Sequence, residues 1–384
     1  MNSVRTMTPT WDIFCKVIDN FGDAGVCWRL AKILNHEHGV HVRLWIDGLP
    51  TLCALVPVAD AALPVQVVDG VTICNWAVNA PVAEEAATVI EGFGCGLPED
   101  YIAGMAARER PPVWLVLEYL SAESWVDHHH GLASPHPRLP LQRYFFFPGF
   151  TPATGGLLRE ASLLPRHEAF DASVRRRFWH SLNFAEPAPQ ALTVSMFAYA
   201  DAPFAELLRA MAEDSAPVMV AVPAGVLMSV VHTSLGPPDS DGVSWKRGAL
   251  EVRALPFLSQ VRYDELLRAC NLNFVRGEDS LVRALWAARP LVWQPYRQND
   301  GTHQRKMAAF LDHYCAGLDP VAAGTLQAFW QCWSSTAGMS GDVWPALRKI
   351  HGVLAAHAGR WTQEKAGLRE MASQLVEFAR NKVK

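Results

Sequence analysis

The beginning of the chain alternates strand, turn and helix patterns, and this alternation limits the possible fold more than any other feature of the sequence. Residues 12–18 (DIFCKVI) are apolar and partly β-branched, which predicts a buried strand. A polar segment with two glycines follows at 19–25, and apolar side chains then recur on one helix face over 26–34. The next strand is predicted at 41–47. A strand, a helix and a second strand in succession favour a parallel α/β layer.

A second series of apolar runs in the latter half of the chain alternates with helical patterns, which predicts a second α/β half with a cleft between the two. Its predicted strands are 191–199, 218–222, 250–254, 272–275 and 291–294. A proline- and turn-rich stretch over 131–165 precedes this series. We therefore predict domains at 1–182 and 183–360. A C-terminal helix over 361–384, with one apolar face, is predicted to pack back onto the first domain.

Composition and charge exclude several classes of protein. The chain has 384 residues and a formal net charge of −4, so we expect no nucleic-acid partner and no anionic-membrane surface. The most apolar stretch, 216–231, is too short for a membrane span and is interrupted by prolines. No signal peptide is recognisable, and none of the eight cysteines forms a Cys-x-x-Cys pair. Reduced thiols and a cytoplasmic location are therefore predicted.

The loop after the first predicted strand contains two carboxylates, Asp19 and Asp23. Ligands bind at the carboxyl ends of strands in open parallel sheets, so this loop is a candidate site. Gly22 and Gly25 allow the backbone to approach a ligand, and the following helix offers free N–H groups. Paired acids suit acid–base catalysis, whereas the alternative role for Asp23 is a helix N-cap. The loop is not Gly-x-Gly-x-x-Gly, so a dinucleotide site lacks its signature.

A second candidate loop runs from Arg276 to Ser280 (RGEDS), between a predicted strand and a predicted helix. Gly277 and the helix N-terminus could cradle a pyrophosphate, with Arg276 as an added cation. Glu278 would repel a phosphate, so a sugar hydroxyl is its better partner. The alternative is simple capping by Asp279 or Ser280, which does not account for all three charged residues.

Aromatic residues fall at the ends of the second-half strands, namely Phe197 with Tyr199 and Phe257 with Tyr263. Aromatic rings on loops at strand ends can stack on a nucleobase, and Gln260 lies where it could read the base edge. The alternative for each ring is core packing.

A run of metal-ligand residue types, 127–130 (DHHH), has His136 nearby. Three consecutive histidines cannot all face one ion from regular structure, and the run adjoins a proline-rich loop. We therefore predict a solvated loop here and no metal site.

Several segments together resemble the family of bacterial elongation factor P arginine rhamnosyltransferases, EarP. They are 15–25 (CKVIDNFGDAG), 117–123 (LEYLSAE), 144–150 (YFFFPGF), 154–160 (TGGLLRE) and 272–280 (LNFVRGEDS). The resemblance runs from residue 11 to the C-terminal helix. It departs at Tyr263, where some relatives have Phe, and the segment before Thr10 has no clear counterpart.

The resemblance implies a GT-B fold, in which two Rossmann-like domains face an inter-domain cleft. It implies transfer of L-rhamnose from dTDP-β-L-rhamnose to one arginine of elongation factor P, with inversion and without a metal or other cofactor. The product, an α-rhamnosyl arginine, would help ribosomes through proline runs. The first domain would meet the acceptor, and the second domain would hold the donor.

The resemblance also places individual residues by motif position. Asp23, Asp19 and Glu278 take catalytic places. The donor-binding places are taken by Asn20, Phe21, Gly22, Phe197, Tyr199, Phe257, Gln260, Tyr263, Arg276, Asp279, Ser280 and Tyr296. A guanidinium carries no free lone pair, so a carboxylate must hold and polarise it, and we assign Asp23 to this role with Asp19 as its partner.

The end of the predicted strand 113–117 supplies candidates for the acceptor side, namely Glu118, Tyr119 and Glu123. Strand carboxyl ends face the expected cleft, and acidic groups there would orient a basic acceptor loop. The alternative is a core position for Tyr119 and a solvated surface for the glutamates.

Two other functions remain open at this stage. One is a GT-B enzyme that acts on a small-molecule or lipid acceptor. The other is a non-catalytic nucleotide-sugar-binding regulator, which would have no use for the two acids of the first half.

Overall fold

A computed structural model of the protein describes residues 9–18, 21–79, 86–297, 301–335 and 338–382. The chain forms two compact units. Unit 1 is Met1–Ala161 together with Leu368–Lys384, and unit 2 is Ser162–Gly367.

Unit 1 is built on a sheet with the strand order β3-β4-β2-β1-β5-β6-β8-β7. Its elements up to residue 161 are β1 (Thr10–Cys15), α1 (Phe21–His36), β2 (His41–Ile46), α2 (Leu49–Leu55), β3 (Val65–Val68), β4 (Val71–Asn75), β5 (Ala86–Gly92), α3 (Glu99–Ala106), β6 (Val113–Leu117), α4 (Val126–His129), β7 (Ala133–Pro135) and β8 (Gln142–Phe146). The inner strands pair in parallel, and only the edge strands β3 and β7 run antiparallel to their neighbours. Strands β1 and β6 are almost fully buried, which is why they read as continuous apolar runs.

Unit 2 repeats this plan with the strand order β11-β12-β10-β9-β13-β14. Its elements are α5 (Leu163–Glu168), α6 (Ala172–Ser181), β9 (Leu192–Met196), α7 (Phe204–Ala212), β10 (Val218–Pro223), α8 (Leu227–Leu235), β11 (Ser244–Arg247), β12 (Leu250–Leu255), α9 (Gln260–Ala269), β13 (Leu272–Arg276), α10 (Gly277–Trp286), β14 (Leu291–Gln294), α11 (Thr302–Cys315), α12 (Pro320–Ser334) and α13 (Val343–Ala366). The chain then ends with α14 (Met371–Lys382), which belongs to unit 1. Within the described ranges, no helix is long and apolar enough to cross a membrane.

The strand order reverses at one place in each sheet. In unit 1 the first strand, β1, lies between β2 and β5, and in unit 2 the first strand, β9, lies between β10 and β13. Ligands of open parallel sheets bind at the carboxyl ends of the strands at such a switch point. The fold therefore directs attention to the loops after β1 and β5 in unit 1 and after β9 and β13 in unit 2.

Two boundaries differ from those predicted from the sequence. Helix α6, which the sequence placed in the first domain, belongs to unit 2, because Phe178 and Trp179 pack with the core of that unit. The segment expected to form one C-terminal helix forms two. Helix α13 ends at Ala366, and Glu370 then accepts hydrogen bonds from the N–H groups of the first turn of α14. The regular apolar spacing thus crosses a helix break that only the packing reveals.

A buried ion pair fixes α1, whose N-terminus follows the β1 loop. The Arg29 side chain is 1% exposed, and its Nε and Nη2 donate to the two carboxylate oxygens of Glu160 at 2.9 and 2.8 Å. This two-point geometry is the strongest form of an arginine–carboxylate contact. It joins the middle of α1 to the end of the TGGLLRE segment.

The Arg29→Met variant should therefore lower the free energy of unfolding of unit 1. Removal of one partner of a buried pair leaves the other charge uncompensated, and we expect a loss of about 3 kcal/mol. The control is Arg369→Met in the same unit, since Arg369 and its partner Glu377 are 61% and 49% exposed and such pairs contribute little. Calorimetric unfolding of both variants is the measurement. Equal effects of the two substitutions would contradict the role given to the Arg29 pair.

Candidate active site

The carboxylate of Asp23 lies at the start of α1 and holds the loop that precedes it. Asp23 is the third residue of this helix and is 2% exposed. Its Oδ2 accepts a hydrogen bond from the backbone N–H of Ile18 at 2.8 Å. Asp23 therefore lies inside the first turn, so the N-cap alternative is wrong. A negative charge is favoured there by the helix dipole.

Two other residues predicted for this loop, Phe21 and Gly22, are the first residues of α1 and are half-buried. Asp19 and Asn20 lie outside the described residues. A second acid, Asp47, also holds the loop, because its Oδ1 accepts a hydrogen bond from the N–H of Val17 at 2.9 Å. Two carboxylates thus bind the backbone of the β1 loop, and sequence reasoning singled out only one of them.

Two cysteines lie close to Asp23. A hydrogen bond with Cys27, together with burial, raises the pKa of the Cys15 thiol well above its ordinary value. Cys15 is accordingly protonated near neutral pH, and a thiol is a poor nucleophile. Cys15 and Cys27 are both buried in the hydrophobic core of unit 1.

The loop after β5 contributes a residue that sequence reasoning missed, Phe93. It has a φ of +56°, which is unusual for a bulky side chain. Its N–H donates to the carbonyl of Leu117 at 2.6 Å, and its ring stacks on Tyr119 with the centroids 4.6 Å apart. Gly92 must lack a side chain, because a Cβ there would lie 2.7 Å from the carbonyl oxygen of Phe14. The sequence signal was the alternating glycines of EGFGCG, and an unfavourable conformation at a switch point is typical of functional sites.

The predicted acceptor-side residues follow β6 in the next position along the sheet. Glu118 is half-buried and donates its backbone N–H to the carbonyl of Phe146 at 2.9 Å. Tyr119 is half-buried against Phe93, so it does not belong to the deep core. Glu123 accepts a hydrogen bond from the hydroxyl of Ser121 at 3.1 Å and closes a local turn. The structure places Glu118 and Tyr119 directly after the carboxyl end of β6, and their role toward an acceptor stays a prediction.

The guanidinium of Arg276 lies between two aromatic rings at the switch point of unit 2. Its Cζ is 4.4 Å from the ring centroid of Phe197 and 4.8 Å from that of Tyr199. Nη1 also donates to the carbonyl of Ala198 at 3.1 Å. Contacts of this kind between a cation and ring faces are attractive. Arg276, Phe197 and Tyr199, which the sequence assigned to the donor pocket, are thus brought together.

Two further predicted tyrosines extend this aromatic cluster. The Tyr263 ring meets Phe197 edge to face at 5.7 Å, and the Tyr296 ring meets Tyr199 in the same way at 5.9 Å. The Tyr263 hydroxyl is buried with no hydrogen-bond partner among the described residues, and burial raises the pKa of its phenol. Tyr296 is 46% exposed. The cluster therefore runs from a buried end to an open end.

Phe257 lies on the loop of unit 2 between β12 and α9, and Gln260 lies just after that loop. Phe257 is 46% exposed, which excludes the core alternative for this ring. Gln260 is the first residue of α9 and is half-buried. Both occupy the carboxyl end of the sheet, where a base could reach them.

The remaining predicted residues open α10. Gly277 has a φ of +65°, which favours glycine. The Ser280 hydroxyl binds the backbone of Arg276 on both sides, accepting from its N–H at 3.1 Å and donating to its carbonyl. Asp279 accepts from Nε of Arg283 at 2.8 Å. These contacts fix the turn that presents the N-terminus of α10, a site suited to phosphate.

Glu278 has a cationic neighbour that the sequence did not reveal. Nζ of Lys306, on α11, lies 3.5 Å from Oε1 of Glu278, and both side chains are about one-fifth exposed. An acid held by a lysine at the head of α10 can accept a hydrogen bond from a sugar hydroxyl without repelling a nearby phosphate as strongly as an unpaired carboxylate would.

Residues 127–129 of the run belong to the short helix α4, so the prediction of a loop is wrong for them, and His130 follows the end of this helix. Nδ1 of His130 accepts a hydrogen bond from the N–H of Phe147 at 3.1 Å, whereas Nδ1 of His129 lies 2.7 Å from the carbonyl of Trp125. Asp127 accepts from the hydroxyl of Thr151. The side chains thus go to separate partners. In the described part of the chain, no group of three or more His, Cys, Asp or Glu could hold a metal ion.

Comparison with known proteins identifies the family of the chain. A sequence model of the family described as elongation factor P (EF-P) rhamnosyltransferase EarP matches residues 11–380. A protein-arginine rhamnosyltransferase of Pseudomonas putida is 45% identical over 379 residues, which cover 98% of this chain and 100% of the relative.

Solved structures show the same fold. A structure that concerns EarP-mediated arginine glycosylation of translation elongation factor EF-P matches with a TM-score of 0.68 and 35% identity, covering 97% of this chain and 99% of that one. MurG of Acinetobacter baumannii matches with a TM-score of 0.51 at 13% identity, over 97% of this chain and 99% of that one. The fold class predicted from the sequence, α/β of the GT-B type, is confirmed.

The unpartnered hydroxyl of Tyr263 generates a prediction about stability. A buried hydroxyl without a hydrogen bond costs free energy, so Tyr263→Phe should raise the free energy of unfolding of unit 2 by about 1 kcal/mol. Tyr263→Ala should lower it, because the ring packs on Phe197. Urea denaturation of the ligand-free protein measures both effects. Destabilisation by Tyr263→Phe would show that the hydroxyl has a partner in solution.

Proposed function

Because the chain belongs to the EarP family of elongation factor P rhamnosyltransferases, we propose that it transfers rhamnose to an arginine side chain of elongation factor P. The observation that carries this proposal is the match over 98% of the chain to a protein-arginine rhamnosyltransferase at 45% identity. The paired features of the two units support it. Unit 1 presents a buried acid on a strand-end loop, and unit 2 presents aromatic rings, an arginine and a helix N-terminus.

The donor in this proposal is dTDP-β-L-rhamnose, and transfer proceeds with inversion. Aromatic faces in unit 2 suit the thymine base, with Phe257 and Tyr296 as the most exposed rings. The N-terminus of α10 and the guanidinium of Arg276 suit the diphosphate. These groups would stabilise the negative charge that develops on dTDP as it leaves, and in this scheme no metal ion or other cofactor is needed for that purpose.

The acceptor chemistry requires a carboxylate. A guanidinium is protonated at neutral pH and has no free lone pair on nitrogen. A carboxylate that binds it on one side concentrates the positive charge and can accept a proton as the new bond forms. In the proposed step, an arginine nitrogen bonds to C1 of rhamnose, the C1–O bond to dTDP breaks, and the nitrogen loses a proton to Asp23. Asp19 would orient the guanidinium, and Glu278 would hold a rhamnose hydroxyl.

The acceptor is a folded translation factor, so we place the reaction in the cytoplasm. Its docking would use unit 1, with Glu118, Tyr119 and Glu123 near the basic acceptor loop. Phe93, whose backbone conformation is strained, stacks its ring on that of Tyr119 and joins this candidate set. Acidic groups at this place would orient a positively charged loop more than they would add affinity.

The intact mass of elongation factor P tests the proposed activity. After incubation with this protein and dTDP-rhamnose, we expect elongation factor P to gain the mass of one deoxyhexose residue. An acceptor in which the target arginine is replaced by lysine is the control and should stay unmodified. Hydrolysis or consumption of the donor without elongation factor P would favour a small-molecule or lipid acceptor instead. Donor binding without any turnover would favour a regulator.

The Asp23→Asn variant tests the assigned base. The amide keeps an oxygen that can accept the hydrogen bond from Ile18, so the loop should remain in place while the charge is lost. We expect turnover to fall on the order of 10²-fold or more, with dTDP binding unchanged.

The matched control is Asp47→Asn, because Asp47 also holds this loop through a backbone N–H but has no assigned chemical role. It should keep turnover within a few-fold of the parent. Similar losses in both variants would reduce Asp23 to a residue that holds the loop.

A further inference from the structure

Gln294 is the last residue of β14 and is almost completely buried, with 4% exposure. Both polar atoms of its side-chain amide form hydrogen bonds with one neighbouring segment. Oε1 accepts a hydrogen bond from the backbone N–H of Tyr199 at 2.8 Å, and Nε2 donates to Oδ1 of Asp201 at 3.0 Å. A buried amide that satisfies both of its polar ends on one loop fixes that loop in position.

The sheet register explains how one side chain reaches this loop. Strand β13 lies between β9 and β14, and Arg276 is the direct partner of Gln294 in the pairing of β13 with β14. The Gln294 side chain therefore spans the carboxyl end of β13 and binds the segment that leaves β9. The loops after two strands are thus tied together over the end of the strand between them.

Residues 198–201, which Gln294 binds, also contact Arg276. The carbonyl of Ala198 accepts from Nη1 of Arg276 at 3.1 Å, and the Tyr199 ring lies 4.8 Å from its Cζ. Tyr199 also contacts Tyr296. If residues 198–201 were released, Arg276 would lose the hydrogen bond to Ala198 and the contact with the Tyr199 ring. Gln294 itself belongs to none of these contacts, so it would act through the loop.

Asp201 has a second partner, Arg297, but this ion pair contributes less to the position of the loop. Nε of Arg297 lies 3.1 Å from Oδ2 of Asp201, with the two side chains 43% and 39% exposed. Exposed ion pairs contribute little because solvent screens them. Of these two partners of Asp201, the buried amide of Gln294 therefore holds the loop more strongly.

We propose that Gln294 is a positioning residue for the nucleotide site, which keeps residues 198–201 and Arg276 in the geometry that binds the nucleotide diphosphate of the donor. This inference rests on the proposed function, because it assumes that unit 2 holds a sugar nucleotide. Binding is tighter when the groups that contact a ligand are already in place, since the cost of ordering them is avoided.

The Gln294→Glu variant separates the two hydrogen bonds. One carboxylate oxygen can still accept from the N–H of Tyr199, but the other would face the carboxylate of Asp201 with no proton to donate, at a position that is 4% exposed. We expect the dissociation constant for dTDP to rise about tenfold or more, which corresponds to one lost hydrogen bond with a buried group left unpaired. The Michaelis constant for dTDP-rhamnose should rise with it, and that for elongation factor P should not.

The double variant Gln294→Glu with Asp201→Asn supplies the rescue. The amide that the second substitution introduces can donate to the new carboxylate, so both hydrogen bonds are restored with the donor and acceptor exchanged. We expect dTDP affinity to return to within about threefold of the parent, as a coupled pair requires. Gln142→Glu, on β8 of unit 1, is the control for an added negative charge and should leave dTDP binding unchanged.

Calorimetric titration with dTDP, UDP and GDP, together with thermal unfolding of each variant, decides the matter. Parent-like dTDP affinity in Gln294→Glu, or no recovery in a stably folded double variant, would overturn the positioning role. Binding of UDP or GDP but not of dTDP by the parent would contradict the proposed donor alone, and the same variants are then compared with the nucleotide that binds. Binding of none of the three would contradict both proposals.

Discussion

The arrangement of the strands at the centre of each sheet is the constraint on which the rest of the structure depends. Each unit has a parallel sheet whose order reverses beside its first strand, so that the chain leaves β1 and β5 on opposite sides in unit 1, and β9 and β13 on opposite sides in unit 2. The connecting helices diverge at such a point and leave the strand ends open. Asp23 and Phe93 come after β1 and β5, and Arg276 is the last residue of β13, so these three residues lie at the two places where the strand order reverses.

Side chains at or beside these strand ends satisfy backbone N–H groups of the loops. A loop that leaves a sheet carries N–H groups with no partner in the ladder, and a buried N–H must find one elsewhere. Asp23 provides it for Ile18, Ser280 for Arg276 and Gln294 for Tyr199. In each unit, polar side chains therefore hold the strand-end loops through the backbone. A substitution at such a residue can change both its chemical role and the position of the loop. It must therefore be compared with a variant that disturbs the loop alone.

The sequence predicted the central strands well because a strand buried on both faces is apolar throughout. Strand β6 was predicted with the boundaries that the structure has, and β14 likewise. The edge strand β11 was missed, since its four residues, SWKR, carry no apolar run. The division of α13 from α14 was also missed. Apolar spacing alone does not show that Trp361 and Leu375 serve the cores of different units.

The sequence by itself determined the fold class, the two strand-end loops and the residue types that they carry, because hydrophobic periodicity and local motifs are properties of short segments. Only the tertiary structure decided which of those residues meet. Arg276 lies between Phe197 and Tyr199, although roughly eighty residues separate them along the chain, because β9 and β13 are neighbours in the sheet. Lys306 beside Glu278, Phe93 against Tyr119 and the buried amide of Gln294 have the same origin. Contacts between distant segments depend on the order of strands, and no short stretch of sequence contains that order.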